Sequence, residues 1–281
     1  MISPGFIKIP KGISTWFLDT CVWSDVISSE KTRGKFVSFF QKNNILAGIT
    51  QYSLLELTRV KSLIPKMDSL FFQMRHNIWI PLLYDELFDL ELQNYPNNSD
   101  ILFMAMSLIT GEEENKYNKI LEKLSTDPGV IQTRNEHLRF GDSNFMSLEK
   151  YKSNFPPSDG NNYSVKQADE FARQNGIDYF RRHNPDFLRQ FKAPHETFLP
   201  EGLSSQYIRS LFIFYKFYLH GQSPNKSDFF DFAFVSYFPY FDVFVTERNV
   251  ANVLKHIQVS LGIYKNNIVH NLPDFIRKFC S

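Results

Sequence analysis

The run Trp16-Phe17-Leu18 stops abruptly at Asp19-Thr20. Short apolar runs bounded by polar or turn residues read as buried strands of a parallel sheet. In open α/β sheets ligands bind outside the carboxyl ends of the strands. A carboxylate at that point is therefore aimed at the functional edge. Asp-Thr is also a helix-capping pair, and both roles stand for Asp19. Further apolar runs follow at Ile45–Ile49, Asn77–Ile80, Val243-Phe244-Val245 and Ile268–Val269. Between and around them, 21–27, 35–41, 51–62, a stretch from Tyr84, 204–219, 229–238 and a last stretch from Leu272 read as helix or turn. Thr50 is a candidate N-cap. Strands alternating with helices predict an α/β core.

The texture changes between Tyr95 and about Pro200. Turn signals cluster at Asn94–Asn98, Thr126–Gly129, Phe155–Gly160 and His183–Pro185. Helical patterns lie between them at 101–108, 115–124, 165–175 and 186–191, and strand signals are nearly absent. The expected organisation is a first half of the core over 1–95, a mainly helical insertion over 96–200, and a second half over 201–281. Arg181, Arg182, Arg189 and Lys192 interleave with Tyr179, Phe180, Phe187 and Phe191. Such a mixture suits single-stranded nucleic acid, and equally an ordinary charged surface helix. Asp85, Glu86, Asp89 and Glu91 read as a solvated helix face whose first turn suits the helix dipole.

Among 281 residues, 31 Lys and Arg against 30 Asp and Glu leave a net charge of +1. That balance argues against a basic nucleic-acid coat protein, but not against a nuclease, since metal ions neutralise phosphate locally. The 29 Phe predict an aromatic-rich core. Cys21 and Cys280 are too few for a disulfide framework and form no CxxC pattern. They are expected to be free thiols. The first residues carry no signal-peptide pattern, and no stretch approaches the ~20 apolar residues that span a bilayer. A cytoplasmic protein without membrane contact is expected.

Acidic residues carry the chemistry. Glu56 sits among leucines: it lies either on a solvent edge beside Arg59 or points across the top of the sheet toward Asp19. Asp228 and Asp231 are three apart at a helix start, hence on one face. Asp228 also suits an N-cap. Asp231 is flanked by Phe230 and Phe232, where an unpaired carboxylate is costly, and a metal ion is one candidate to compensate it. Glu247 follows its strand as Asp19 follows the first. Asp242 precedes that strand, roughly 16 Å away at ~3.3 Å per residue, and is expected to be structural. Carboxylates without Cys or a paired His pattern suit Mg²⁺ or Mn²⁺. Gly-rich phosphate loops and GxSxG elbows are absent.

Taken together, the early Trp16–Thr20 stretch, the helix carrying Ser53–Leu57, the late Asp228-x-x-Asp231 helix and the Phe244-Val245-Thr246-Glu247 strand end resemble the PIN-domain nuclease family. The likeness covers about 12–90 and 222–265. It implies a three-layer α/β/α fold with a central parallel sheet, here with a helical insertion. It also implies an endoribonuclease that hydrolyses RNA phosphodiesters with Mg²⁺ or Mn²⁺, toxin- or defence-like. Carried over, Asp19, Glu56, Asp228 or Asp231, and Glu247 hold the metal, while Thr20 and Thr246 orient a ligand or water. Glu247 departs from the Asp or Asn usual at its position. The partners implied are RNA, single-stranded or structured, a cognate inhibitor protein and a homodimer. Two alternatives stand beside this: a non-catalytic scaffold binding protein or RNA through the insertion, and a nuclease for single-stranded DNA.

Overall fold

The computed structural model describes residues 6–97, 100–106, 116–129, 131, 132, 135, 155–157, 162–183, 199–224 and 228–280. Its strands are β1 (Thr15–Leu18), β2 (Leu46–Gly48), β3 (Ile78–Pro81), β4 (Phe103–Ala105), β5 (Val243–Thr246) and β6 (Ile268–Asn271). They form one sheet in the order β4-β3-β2-β1-β5-β6, parallel except for the antiparallel edge strand β4. The helices are α1 (Thr20–Ser28), α2 (Glu30–Lys42), α3 (Gln51–Leu57), α4 (Ile64–Gln73), α5 (Tyr84–Asn94) and α6 (Lys116–Thr126). They continue as α7 (Val165–His183), α8 (Ser204–Ile213), α9 (Asp228–Val235), α10 (Arg248–Leu261) and α11 (Leu272–Phe279). Phe214–Leu219 prolongs α8 as a π-helical turn.

Strand periodicity divides the core in two. Trp16, Leu18, Val243 and Val245 face a layer made by α1, α2, α4 and α11, with Trp23, Phe36, Phe40, Phe71 and Phe275 at its centre. Phe17 and Phe244 face the other way, toward α5, α7, α8, α9 and α10. The two rings are register partners and stack at 4.4 Å. Successive side chains of a strand point to opposite faces, so each strand needs apolar cover on both sides. The result is an α/β fold with helices on both faces of a mostly parallel sheet, an arrangement compatible with three layers.

Local chemistry starts the elements where expected. Asp19 caps α1, Thr50 accepts the Ser53 amide to cap α3, and Asn271 accepts the Asp274 amide to cap α11. Gly262, at φ 68°, closes α10 in the left-handed region. One expectation fails: 101–105 is not helical, because Phe103–Ala105 pairs with β3, while 107 and 108 lie outside the described residues. Three residues carry little periodicity, and the pairing comes from a strand more than twenty residues earlier. The expected helix at 186–191 lies outside the described residues, as do Arg189, Lys192, Phe187 and Phe191.

Gly48 ends β2 against the Phe241 ring. A Cβ there would lie 2.6 and 2.8 Å from two ring carbons of a buried phenylalanine. Gly48→Ala is expected to lower stability by about 1–3 kcal/mol, the usual range for overpacking. Urea unfolding reads this, and an unchanged midpoint would mean that the ring moves aside freely.

Candidate functional site

The sheet order puts β1 at a switch point. The chain first builds outward from β1 through β2 and β3, then returns to β1's other side with β5 and β6. Crevices at the carboxyl ends of strands flanking such a point are where open α/β sheets bind ligands. Leu18 pairs with Val245, and the Asp19 amide donates to the Val245 carbonyl at 3.0 Å. Asp19 and Thr246 therefore leave the sheet side by side.

Asp19 is 6% exposed. Its Oδ1 accepts the Thr20 amide at 2.6 Å, and its Oδ2 accepts the Thr246 hydroxyl at 2.6 Å. Burial pushes its pKa up to about 6 against these two bonds, and the Glu56 and Glu247 charges push the same way as burial. The Thr20 hydroxyl donates to Ser53 Oγ at 3.1 Å, and Ser53 Oγ lies 3.0 Å from Thr50 Oγ1. These bonds tie the ends of β1 and β2 together.

Glu56 is half-buried on α3. Burial raises its pKa, the Thr20 hydroxyl and Arg59 oppose that, and Asp231 adds to it. Glu247 is exposed at the N-cap position of α10. Asp231, on α9, has its pKa pushed up to about 7 by burial; Lys216 opposes the shift, while Asp19 and Glu247 reinforce it. Asp19, Glu56, Asp231 and Glu247 thus come from four separate segments into mutual electrostatic range. Asp228 is 2% exposed. Its Oδ1 accepts from Lys216 Nζ at 2.7 Å. Asp242 lies at the other end of the sheet, where Oδ2 accepts the Thr15 amide at 2.8 Å.

Lys216 is the residue that sequence reasoning missed. It is 3% exposed and reaches both Asp228, at 2.7 Å, and Asp231, at 2.8 Å. Burial alone would lower its pKa, yet the two carboxylates outweigh burial and hold it above the usual lysine range. A signal existed, since a lone lysine inside the aromatic run 211–219 has no polar face to occupy and must be paired. It sits in the π-helical turn, and π-bulges are frequent at functional sites.

Glu91 departs from the expected solvated face. It shares a face with Leu87 and Phe88 and is fully buried. Its Oε1 accepts the Ser205 amide at 2.8 Å and a short bond from the Tyr240 hydroxyl. Burial pushes its pKa up to about 7. In the basic stretch, Arg181 pairs with Asp178 at 2.5 Å, Arg182 is exposed, and Phe180 is buried. Both cysteines are free. Burial raises both thiols, Cys280 to about 12.

The donor chemistry fits Mg²⁺ or Mn²⁺. The converging side chains are carboxylates, and their mutual repulsion is what a divalent cation relieves. Among the described residues, no three Asp, Glu, His or Cys side chains already surround one ion-sized point. Magnesium commonly takes only one or two carboxylates and completes its shell with water and phosphate oxygens. Asp19 is the carboxylate about which such a site would be built, with Glu56, Asp231 and Glu247 in electrostatic range of one or both of the aspartates. Among the described residues, no helix is long and apolar enough to cross a membrane. No family model, curated protein or solved structure matches the chain.

Proposed function

We propose that the chain is a divalent-metal-dependent, PIN-like endoribonuclease that hydrolyses RNA phosphodiester bonds at the carboxyl edge between β1 and β5. One observation supports this above the rest. Asp19, Glu56 and Asp231 approach one another at the switch point with Glu247 beside them, and the neighbouring acid charges raise the pKa of Asp19, Glu56 and Asp231. Acids gathered in a partly buried crevice repel one another, and Lys216 reaches Asp231 but none of the other three, so their convergence argues for a further cationic ligand. A bound Mg²⁺ or Mn²⁺ supplies Lewis-acid polarisation of the phosphate and a water acidified for attack.

The chain's own groups set that chemistry up. Thr246 and the Thr20 amide hold both oxygens of Asp19 and favour its ionised form. Lys216 holds Asp228 and Asp231 in place from beneath. Glu56 and Glu247 add negative charge at the rim, and Thr20 links the helix that carries Glu56 to the end of β1.

A second reading has its own support. Lys216 already supplies a positive charge to two of the acids, which a non-catalytic scaffold would also need. One assay separates the two. Metal-treated protein is incubated with single-stranded RNA, and in parallel with DNA of the same sequence, with Mn²⁺ or EDTA. Cleavage of RNA with Mn²⁺, lost in Asp19→Asn and in Asp231→Asn, is the expected result. Equal cleavage by wild type and both variants, or none by wild type, would remove the nuclease reading. Cleavage of DNA alone would reassign the substrate.

A further inference from the structure

A second charged feature lies beside the acids and is not used by them. Five aromatic rings run in a row away from α9. Phe230, next to Asp231, lies 6.4 Å from Tyr52; Tyr52 is 5.7 Å from Tyr84; Tyr84 is 5.7 Å from Phe88; and Phe88 is 5.6 Å from Tyr179. The row begins on the face of α3 that also carries Glu56, four residues after Tyr52. Arg209 of α8 lies along it, with its guanidinium carbon 5.9 Å from the Tyr84 centroid and 6.0 Å from that of Phe88.

Arg209 lacks a partner that its chemistry calls for. Its Nε is sealed from solvent and has no hydrogen-bond acceptor. Among the described residues, no carboxylate forms an ion pair with it. Asp85 is near enough to act on its charge, and it acts on Tyr84 and Tyr52 as well. A guanidinium is a rigid fork of donors that matches phosphate oxygens. Arg209, like Tyr84 and Tyr179, is half-buried as a residue. Cation–π contact with Tyr84 and Phe88 steadies the charge but leaves the Nε–H donor unmatched.

We propose that Arg209, flanked by Tyr84 and Tyr179, is a phosphate subsite that holds the backbone of a single-stranded nucleic acid a short way along from the acids. The subsite rests on the nuclease reading for its choice of strand, though not for its affinity for phosphate. It gives the strand an attractive contact beyond the repulsive acid cluster. The partly open tyrosine rings beside it suit an unpaired base, which stacks on aromatic side chains without regard to sequence.

The test uses the full chain. Inorganic phosphate is titrated into protein labelled with ¹⁵N-arginine, and the Arg209 Nε–H resonance, assigned through Arg209→Lys, is followed. A labelled single-stranded RNA decamer is then bound in EDTA at several salt concentrations. The expected result is a saturable shift of that resonance, together with a roughly tenfold weaker decamer affinity in Arg209→Gln. The salt slope is expected to fall by about 0.7, the share of one phosphate on a single strand. Arg209→Lys keeps the slope and recovers part of the affinity. A resonance indifferent to phosphate overturns the proposal, and this arm needs only folded wild type. So does decamer binding by folded Arg209→Gln with wild-type affinity and slope. A phosphate shift without strand binding overturns the nucleic-acid assignment. Manganese-dependent cleavage with an unchanged KM in Arg209→Gln would sink the subsite and leave the nuclease standing. Arg209-dependent strand binding without cleavage would do the reverse.

Discussion

Lys216→Met is expected to destabilise the protein by about 3–5 kcal/mol at neutral pH, the range for breaking a buried ion pair from one side. Methionine fills much the same volume, so the loss comes from charge. Lys216 is 3% exposed and its ammonium lies 2.7 Å from Asp228 and 2.8 Å from Asp231. Without it, Asp228 and Asp231 lose the ammonium that offsets their charges in a largely apolar setting. The loss should shrink as pH falls, because Asp231, whose pKa burial already raises, then takes up a proton. Lys216→Met/Asp228→Asn/Asp231→Asn should recover much of the stability, since replacing a whole buried ionic group is far milder than orphaning half of it. Urea unfolding at pH 7.5 and pH 5 measures all of this. A loss below about 1 kcal/mol at pH 7.5, the level of an exposed pair, would mean that the cluster is solvated in the folded protein.

Lys216 also marks where a one-dimensional reading stops. The strands after which Asp19 and Glu247 sit were legible because an apolar run and its polar stop are neighbours in sequence. Thr50 was legible as a cap for the same reason. The partners of polar residues inside helices are not neighbours. Lys216 finds Asp228 twelve residues on, while Glu91 finds Ser205 and Tyr240 more than a hundred residues on. A charge in an apolar helix announces that it is paired, but not with what. Glu91 shows the opposite failure. Four acids on one helix looked solvated, yet the one that shares a face with Leu87 and Phe88 turned inward. Arg209 gave no signal at all, because its setting is made by rings from α3, α5 and α7. At β4, three residues held too little pattern to outweigh a helical-looking composition. Asp242 was placed correctly on strand length alone, since the whole of β5 separates it from Glu247.

Manganese is expected to offset part of the fall in stability at high pH, and Asp19→Asn to prevent it from doing so. Burial raises Asp19 from 3.8 to about 6, Asp231 from 3.8 to about 7 and Glu91 from 4.5 to about 7. Between the unfolded and folded values the native protein holds more protons than the unfolded chain, so stability falls as pH rises. The stabilisation is complete below about pH 4 and is lost as pH climbs through 6 and 7. Each such group contributes about 1.4 kcal/mol for every pH unit separating its two pKa values. In EDTA the thermal midpoint should therefore drop between pH 5 and pH 8. A divalent ion competes with those protons for the ionised carboxylates, and what binds only the native state stabilises it. With Mn²⁺ the midpoint at pH 8 should rise by several degrees, and at pH 5 it should hardly move. Asp19→Asn should flatten part of the EDTA profile and abolish the manganese shift. Glu91→Gln should flatten another part and leave that shift intact, because Glu91 faces Ser205 and Tyr240 rather than the crevice. The decisive comparison is differential scanning fluorimetry of the three proteins across pH 5–8 with and without Mn²⁺. A manganese shift that is independent of pH, or equal in wild type and Asp19→Asn, would place the ion away from the β1–β5 crevice.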